Sequence, residues 1–191
     1  ADWSSIKNTD ETIFAEIQHS FANEWIVKAV TSYTTSESDW MVAYGGSGFP
    51  DPATGTGLSI WSAVWPYSEN KKFNLDLYAS GPFEFLGRKH DFIIGYTGFT
   101  SKNTSNNVIA DIKYSPQIAD YRTWKGDIPK PTFQPAHSGS ENTTDIYGAY
   151  STVRFNIADP LKVIVGARLS SYDYESKSWT ASTPKTESAA P

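Results

Sequence analysis

Hydrophobic and polar residues alternate with a period of two along several stretches of the chain, and these stretches come in pairs. Between residues 161 and 172, Leu161, Val163, Val165, Ala167 and Leu169 share one parity, while Lys162, Gly166, Arg168 and Ser170 share the other. Successive side chains of an extended chain point to opposite faces, so this pattern predicts a strand with one oily and one wet face. Its partner spans residues 145–156, with Ala158-Asp159-Pro160 at the turn. A second pair covers residues 72–80, where Leu75, Leu77 and Ala79 alternate with Asn74, Asp76 and Tyr78, and residues 90–100. Gly81-Pro82 and Gly87-Arg88-Lys89 punctuate that connection. The first pair covers residues 11–20 and 25–33, turning at Phe21-Ala22-Asn23-Glu24, with Trp25, Val27, Ala29 and Tyr33 opposite Lys28 and Ser32. The expected fold is all-β, an antiparallel meander of about six long strands in three hairpins.

Each run is about 9 to 12 residues, longer than the ~5–6 of an ordinary globular strand and close to the ~9–11 that cross a bilayer. Between the pairs lie two long stretches rich in Gly, Pro and Asn, residues 34–71 and 101–144, so short and long connections alternate. Outer-membrane barrels have that rhythm, with short periplasmic turns and longer extracellular loops. A secreted β-sandwich also gives alternating runs joined by turns. Lys28 and Arg154, mid-strand on the polar face, suit a water-filled lumen and a sandwich exterior equally.

Composition narrows the classes. The chain has a net charge of −5 and a pI near 5.2, with its 16 basic residues scattered, which argues against a nucleic-acid partner. Without cysteine there is no disulfide, thiolate nucleophile or Cys-based metal site. No window approaches the ~18 apolar residues of a membrane helix, and no basic-then-apolar leader opens the chain at Ala1. The mean hydropathy of −0.44 still suits a barrel, whose strands give a weak signal. His19, His90 and His137 form no metal-binding spacing and suit solvated or turn positions; Gly45-Gly46-Ser47-Gly48 and Gly55-Thr56-Gly57 precede no helix and no P-loop lysine. Neither a Gly-x-Ser-x-Gly elbow nor a carboxylate couple is present, so no catalytic residue is expected and no enzyme. Asn103-Thr104-Ser105 and Asn142-Thr143-Thr144 match the glycosylation acceptor pattern, one short enough to arise by chance in Asn- and Thr-rich stretches.

Aromatic residues make up 15% of the chain, and many fall in the two long connections. Trp40, Tyr44, Phe49, Trp61, Trp65 and Tyr67 lie in the first, and Tyr114, Tyr121, Trp124 and Phe133 in the second. Such rings suit a bulky ligand with aromatic and amide parts, or a small local core that keeps long loops folded. On a sandwich the same rings would stack on sugars, making a carbohydrate-binding or adhesive module.

The string Gly81-Pro82-Phe83-Glu84-Phe85-Leu86-Gly87-Arg88-Lys89-His90-Asp91-Phe92, followed by Gly95, resembles the strand-turn-strand signature of TonB-dependent siderophore receptors. Arg154-Phe155-Asn156-Ile157 through Gly166-Ala167-Arg168 to Tyr172 resembles that family's next hairpin, and Phe14 to Trp25 the hairpin before. Trp124-Lys125-Gly126-Asp127-Ile128-Pro129-Lys130-Pro131 is similar to an outside loop of the ferripyoverdine-receptor group. Phe49-Pro50-Asp51-Pro52 departs from that group, which carries Trp in this region.

The resemblance implies a segment, residues 1–180, of a transmembrane barrel of about 22 strands in the bacterial outer membrane. Residues 181–191 would be a polar tail or the start of the next extracellular loop. The plug, the TonB-box segment and the closing strand would lie outside this sequence. The ligand implied is a ferric siderophore, its iron held by siderophore oxygens with no protein ligand and no other cofactor. Implied partners are the TonB-ExbB-ExbD system, reached through the plug, and outer-membrane lipid. By position in the matching loop, Trp124 and Tyr121 are the first candidate ligand contacts; by aromatic exposure, Phe49, Trp61 and Trp65 follow, then Trp40.

Overall fold

The computed structural model describes residues 1–46, 49–111, 113–134 and 138–180; His137 and the stretch 181–191 lie outside them. Six long strands, β1 (Ser5–Ser20), β2 (Ile26–Gly45), β3 (Leu58–Phe85), β4 (Arg88–Ile109), β6 (Ser138–Ala158) and β7 (Leu161–Thr180), and one short strand, β5 (Gln117–Ile118), are present. No helix occurs among the described residues. The long strands form one antiparallel sheet in the order β1-β2-β3-β4-β6-β7, with β5 paired to β3. The sheet does not close on itself; β1 and β7 are its free edges.

The hairpin ends are tight. Leu86 (φ 49°) and Gly87 (φ 71°) join β3 to β4 in two residues, with Phe85 opposite Arg88. Two successive left-handed residues match the right-handed twist of the flanking strands, which is why this two-residue turn closes the hairpin where an ordinary type I or II turn would splay the strands. The pause expected at Gly81-Pro82 is therefore strand, and only residues 86–87 turn. Asp159 and Pro160 turn β6 into β7, beside a register shift between Asn156 and Ala158.

At the other end the strands run well beyond the expected limits, from 16 residues in β1 to 28 in β3. Much of the stretches 34–71 and 101–144, expected as loops, is ladder; the connections shrink to residues 46–57 and 110–137. The reason is polarity. Glu37, Glu69, Thr104 and Glu141 sit in one row across the sheet and Ser36, Asn70, Asn103 and Asn142 in the next, so both faces are wet and the hydropathy alternation vanishes. Backbone pairing needs no such alternation and continues.

Register assigns the faces. Ile13, Ile17, Val27, Ala29, Leu75, Leu77, Ala79, Ile94, Val153, Val163, Val165 and Leu169 share one side. Aromatic residues border this band, Tyr33, Phe73 and Tyr147 towards the long connections, and Trp25, Phe83, Phe92 and Phe155 towards the short turns, while Tyr96 lies within it opposite Leu77. From Phe73 to Phe83, ~3.3 Å per residue gives about 33 Å along the strand, or about 25 Å at a ~40° tilt, the height of a lipid-facing band. Beyond the upper row the same side turns charged, with ion pairs Lys71–Glu69 (2.8 Å), Lys102–Glu141 (3.0 Å) and Lys177–Glu175 (3.0 Å). The opposite side is polar at band height: Lys28 pairs with Glu16 at 2.8 Å, Arg154 with Asp91 at 2.6 Å, and Arg168 Nη2 donates to Thr97 Oγ1 at 2.7 Å.

The sheet holds no conventional core. The buried apolar residues, Ile60, Ala63, Ala110 and Ile118, cluster where the two long connections meet β3 and β4. The band is exposed instead, as suits a wall with lipid on one side. Of the two positions expected for His90, solvated or turn, the structure gives the turn, and the ring is buried there. It is 3% exposed, its Nε2 lies 2.9 Å from Phe85 O, and its Nδ1 accepts from Asn156 N at 3.0 Å, an arrangement that the neutral Nε2–H tautomer satisfies. The ring ties the β3–β4 turn to β6, with both nitrogens engaged by the backbone.

Two bare edges and an uncovered apolar face carry a prediction. Expressed alone in detergent-free buffer, the chain is expected to self-associate, giving scattering masses well above its 21.1 kDa. A monodisperse monomer with a well-dispersed NMR spectrum would count against the wall assignment.

Candidate functional site: the two long connections

Of the described residues of the two connections, 49–57 and 113–134 meet above the wall and fold on each other. Asp51 organises the first connection: its backbone N donates to Thr56 O (2.9 Å) and its carbonyl accepts from Gly55 N (2.7 Å). Its Oδ1 accepts from Ala53 N (2.8 Å) and its Oδ2 from Thr54 Oγ1 (2.9 Å). A carboxylate capping its own turn is the usual Asx solution to a tight reversal. The Ala53 amide and the Thr54 hydroxyl hold the Asp51 carboxyl below the ordinary carboxylate range.

The second connection is stitched to the strand ends. Ala110 N donates to Ala63 O (2.8 Å), Asp111 N to Thr132 O (3.0 Å), Gln134 N to Ile109 O (3.0 Å) and Ile60 N to Pro116 O (3.0 Å), while Leu58 pairs with Ile118. Rings fill the space beneath. Phe133 packs edge-on against Trp65 (5.8 Å) and Trp3 (6.5 Å); Trp65 Nε1 donates to Asp39 Oδ1 (2.5 Å) and Trp3 Nε1 to Ile128 O (3.1 Å). Tyr114 donates to Pro129 O at 2.6 Å. Asp2, Trp3, Asp127, Ile128 and Pro129 line an open depression beside this cluster.

Arg122 joins the connections. Its guanidinium donates to Pro52 O (3.3 Å), Ala53 O (3.1 Å) and Thr54 O (3.0 Å) of the first, and to both carboxylate oxygens of Asp120 (2.9 and 3.0 Å) beside it. Tyr121 N donates to Gly55 O at 2.9 Å. The Arg122 side chain, then its backbone amide, holds the Asp120 carboxyl below its usual range. The depressed value means that the ion pair is fully formed above the ordinary Asp pKa and is lost only as pH falls through the lowered one.

The expected ligand contacts divide in three. Tyr121 and Trp124 flank Arg122 on the joined segment, with Trp124 Nε1 donating to Asp127 O at 3.1 Å. Phe49, at 101% relative exposure, stands on the first connection, where Gly57 lies against its carbonyl. Trp40, Trp61 and Trp65, expected in loops, are on strands β2 and β3. Trp61 is exposed beside Tyr44 (5.9 Å), Trp40 donates to Asn8 Oδ1 (3.0 Å), and Trp65 belongs to the Phe133 cluster. The alternation pattern marks none of Arg122, Asp120, Asp51 or Trp3. The one available signal was Asp51-Pro52-Ala53-Thr54-Gly55, an Asx-turn composition. Among the described residues no group of three or more His, Cys, Asp or Glu is placed to hold a metal ion.

Residues 1–190 match the model of the TonB-dependent receptor-like β-barrel. The chain belongs to this family. A secreted β-sandwich is thereby set aside, as is also required by six long strands in one sheet. The family consists of receptors, and the wall described above is outer-membrane barrel. The ferripyoverdine receptor of Pseudomonas aeruginosa is 30% identical over 172 residues, 90% of this chain and 21% of its own length. The ferric-pyoverdine BN7/BN8 receptor of Pseudomonas putida is 32% identical over 177 residues, 88% of this chain and 21% of its own. The chain thus spans about a fifth of the length of these relatives. A crystal structure of the Pseudomonas aeruginosa outer-membrane receptor bound to ferripyoverdine superposes with a TM-score of 0.84 at 28% identity, covering 96% of this chain and 24% of that one.

Proposed function

We propose that this chain forms part of the barrel wall and two outside connections of a receptor that captures ferric siderophore of the pyoverdine class. The observation that carries this is the likeness, over nearly the whole chain, to a ferripyoverdine-bound receptor, with the exposed rings Phe49 and Trp124 held on joined connections. Iron stays chelated by siderophore oxygens, and the protein breaks no bond. TonB-ExbB-ExbD supplies the energy for import through a plug outside this chain. Outer-membrane lipid covers the apolar band, and residues 1–180 act as one wall segment.

Capture by rings and amides requires little of the wall beyond position. An aromatic side chain on a preformed surface contributes contact area at low entropic cost, and backbone groups orient the ligand. In the full-length receptor, Trp124→Ala is expected to weaken ferripyoverdine binding about 5- to 150-fold, the equivalent of about 1–3 kcal/mol for a lost ring contact. Fluorescence titration measures it; unchanged affinity would remove Trp124 from the site.

A further inference from the structure

Three successive carbonyls, those of Pro52, Ala53 and Thr54, converge on one guanidinium from the other connection. Carbonyl dipoles aimed at a single point repel one another unless a cation sits there. Arg122 supplies the charge and, at the same time, chelates Asp120 through Nε and Nη2. Lysine could not do both, because a compact ammonium has three donors and no planar fork. Gly55 fits the junction from its other side. Its φ is +75°, and a Cβ there would lie 2.0 Å from Asp120 Oδ1 and 2.7 Å from Arg122 Nε, so a side chain is excluded twice over.

The Arg122 side chain is 45% exposed, and exposed ion pairs contribute little to stability. Five hydrogen bonds on one exposed residue therefore point to a different use. Arg122 lies between Tyr121 and Trp124, and the carbonyls that it gathers follow Phe49 by a few residues. We infer that the Arg122–Asp120–Gly55 junction is a positioning latch that presents Phe49, Tyr121 and Trp124 to ferric siderophore as one preset surface. This rests on the function proposed above. Two connections ordered in advance lose less freedom on binding, so affinity is higher for the same contacts. With the latch open, each ring must be ordered by the ligand itself.

The test uses the full-length receptor in detergent micelles, ferripyoverdine as probe, and heat-modifiable gel migration to verify that each barrel is folded. Arg122→Ala is expected to weaken binding about tenfold, and Arg122→Lys nearly as much, since charge without the fork does not rebuild the latch. Gly55→Ala, on the other connection, should give a loss of the same order. Binding by both Arg122 variants at wild-type affinity would overturn the latch; if Arg122→Ala does not fold, Arg122→Lys alone decides. The discriminating readout is the pair Arg122→Ala and Trp124→Ala. On the unlatched background Trp124→Ala should cost clearly less than it does in the otherwise wild-type receptor, because the ring is no longer held in place. Independent, multiplicative losses would overturn a positioning role. Failure of the wild-type receptor to bind ferripyoverdine would instead overturn the functional proposal itself.

Discussion

Leu77→Arg in the full-length receptor is expected to lower folding stability by about 2–4 kcal/mol, the cost of a cationic side chain at mid-depth on the lipid face of a barrel. Leu77 lies in β3 about midway between the aromatic residues Phe73 and Phe83, and register places it beside Ala29 and Tyr96 on the apolar side. Arginine there has no carboxylate within the band and is furthest from both interfaces, so its long stem reaches water least effectively. Val30→Arg is the matched control. Val30 lies one position along β2 from Ala29 but faces the polar side, opposite Asp76, where a guanidinium meets a carboxylate. Unfolding titrations in micelles should show a loss for Val30→Arg less than half that for Leu77→Arg. Equal losses would mean that the faces have been assigned the wrong way round or that the band does not meet lipid.

That assignment is the part of the fold most legible in the sequence. Leu161 to Leu169 alternates because one face of β7 belongs to the apolar band and the other to the polar side, and the same demand acts on all six long strands. Once a strand rises above the band both faces meet water, the demand lapses, and Glu37, Asn70 or Asn103 could equally stand in a loop. Strand ends on that side were therefore invisible to hydropathy. Of the candidate site, the sequence offers the rings but not how they are held. Rings in polar surroundings announced a surface, and Tyr121 and Trp124 do lie on a joined segment. Trp65 looked the same in the sequence but is tied into a cluster by Phe133 and Asp39. Nothing local to a tryptophan says whether a phenylalanine 68 positions further on (133 − 65) will cover it. Arg122 was hidden for the same reason, since its carbonyl partners belong to backbone about 70 residues away.

A second large effect is expected at Gly81. The indole of Trp25 lies flat over it: a Cβ on Gly81 would stand 2.4 Å from Trp25 Cδ2 and 2.5 Å from Cγ. These are atoms near the root of the side chain, not a flexible tip, so the ring cannot swing aside without leaving its seat. That seat is well defined, for Trp25 Nε1 donates to Pro82 O at 3.0 Å and the ring packs 6.3 Å from Phe92 in the lower aromatic row. A large ring covering a strand glycine restores the packing that glycine lacks, and each residue is chosen for the other. Gly81→Ala should therefore dislodge the indole and cost about 1–3 kcal/mol, the range for forced overpacking. Gly98→Ala in β4 provides the contrast, because its Cβ would meet Tyr147 at an ordinary 3.5 Å and nothing closer. It should be neutral within about 0.5 kcal/mol. Tryptophan emission should also separate the two, shifting red for Gly81→Ala as Trp25 moves out of its seat and staying in place for Gly98→Ala. If both variants unfold alike, the glycine at 81 is tolerated rather than required, and the lower aromatic row does not depend on the Trp25 seat.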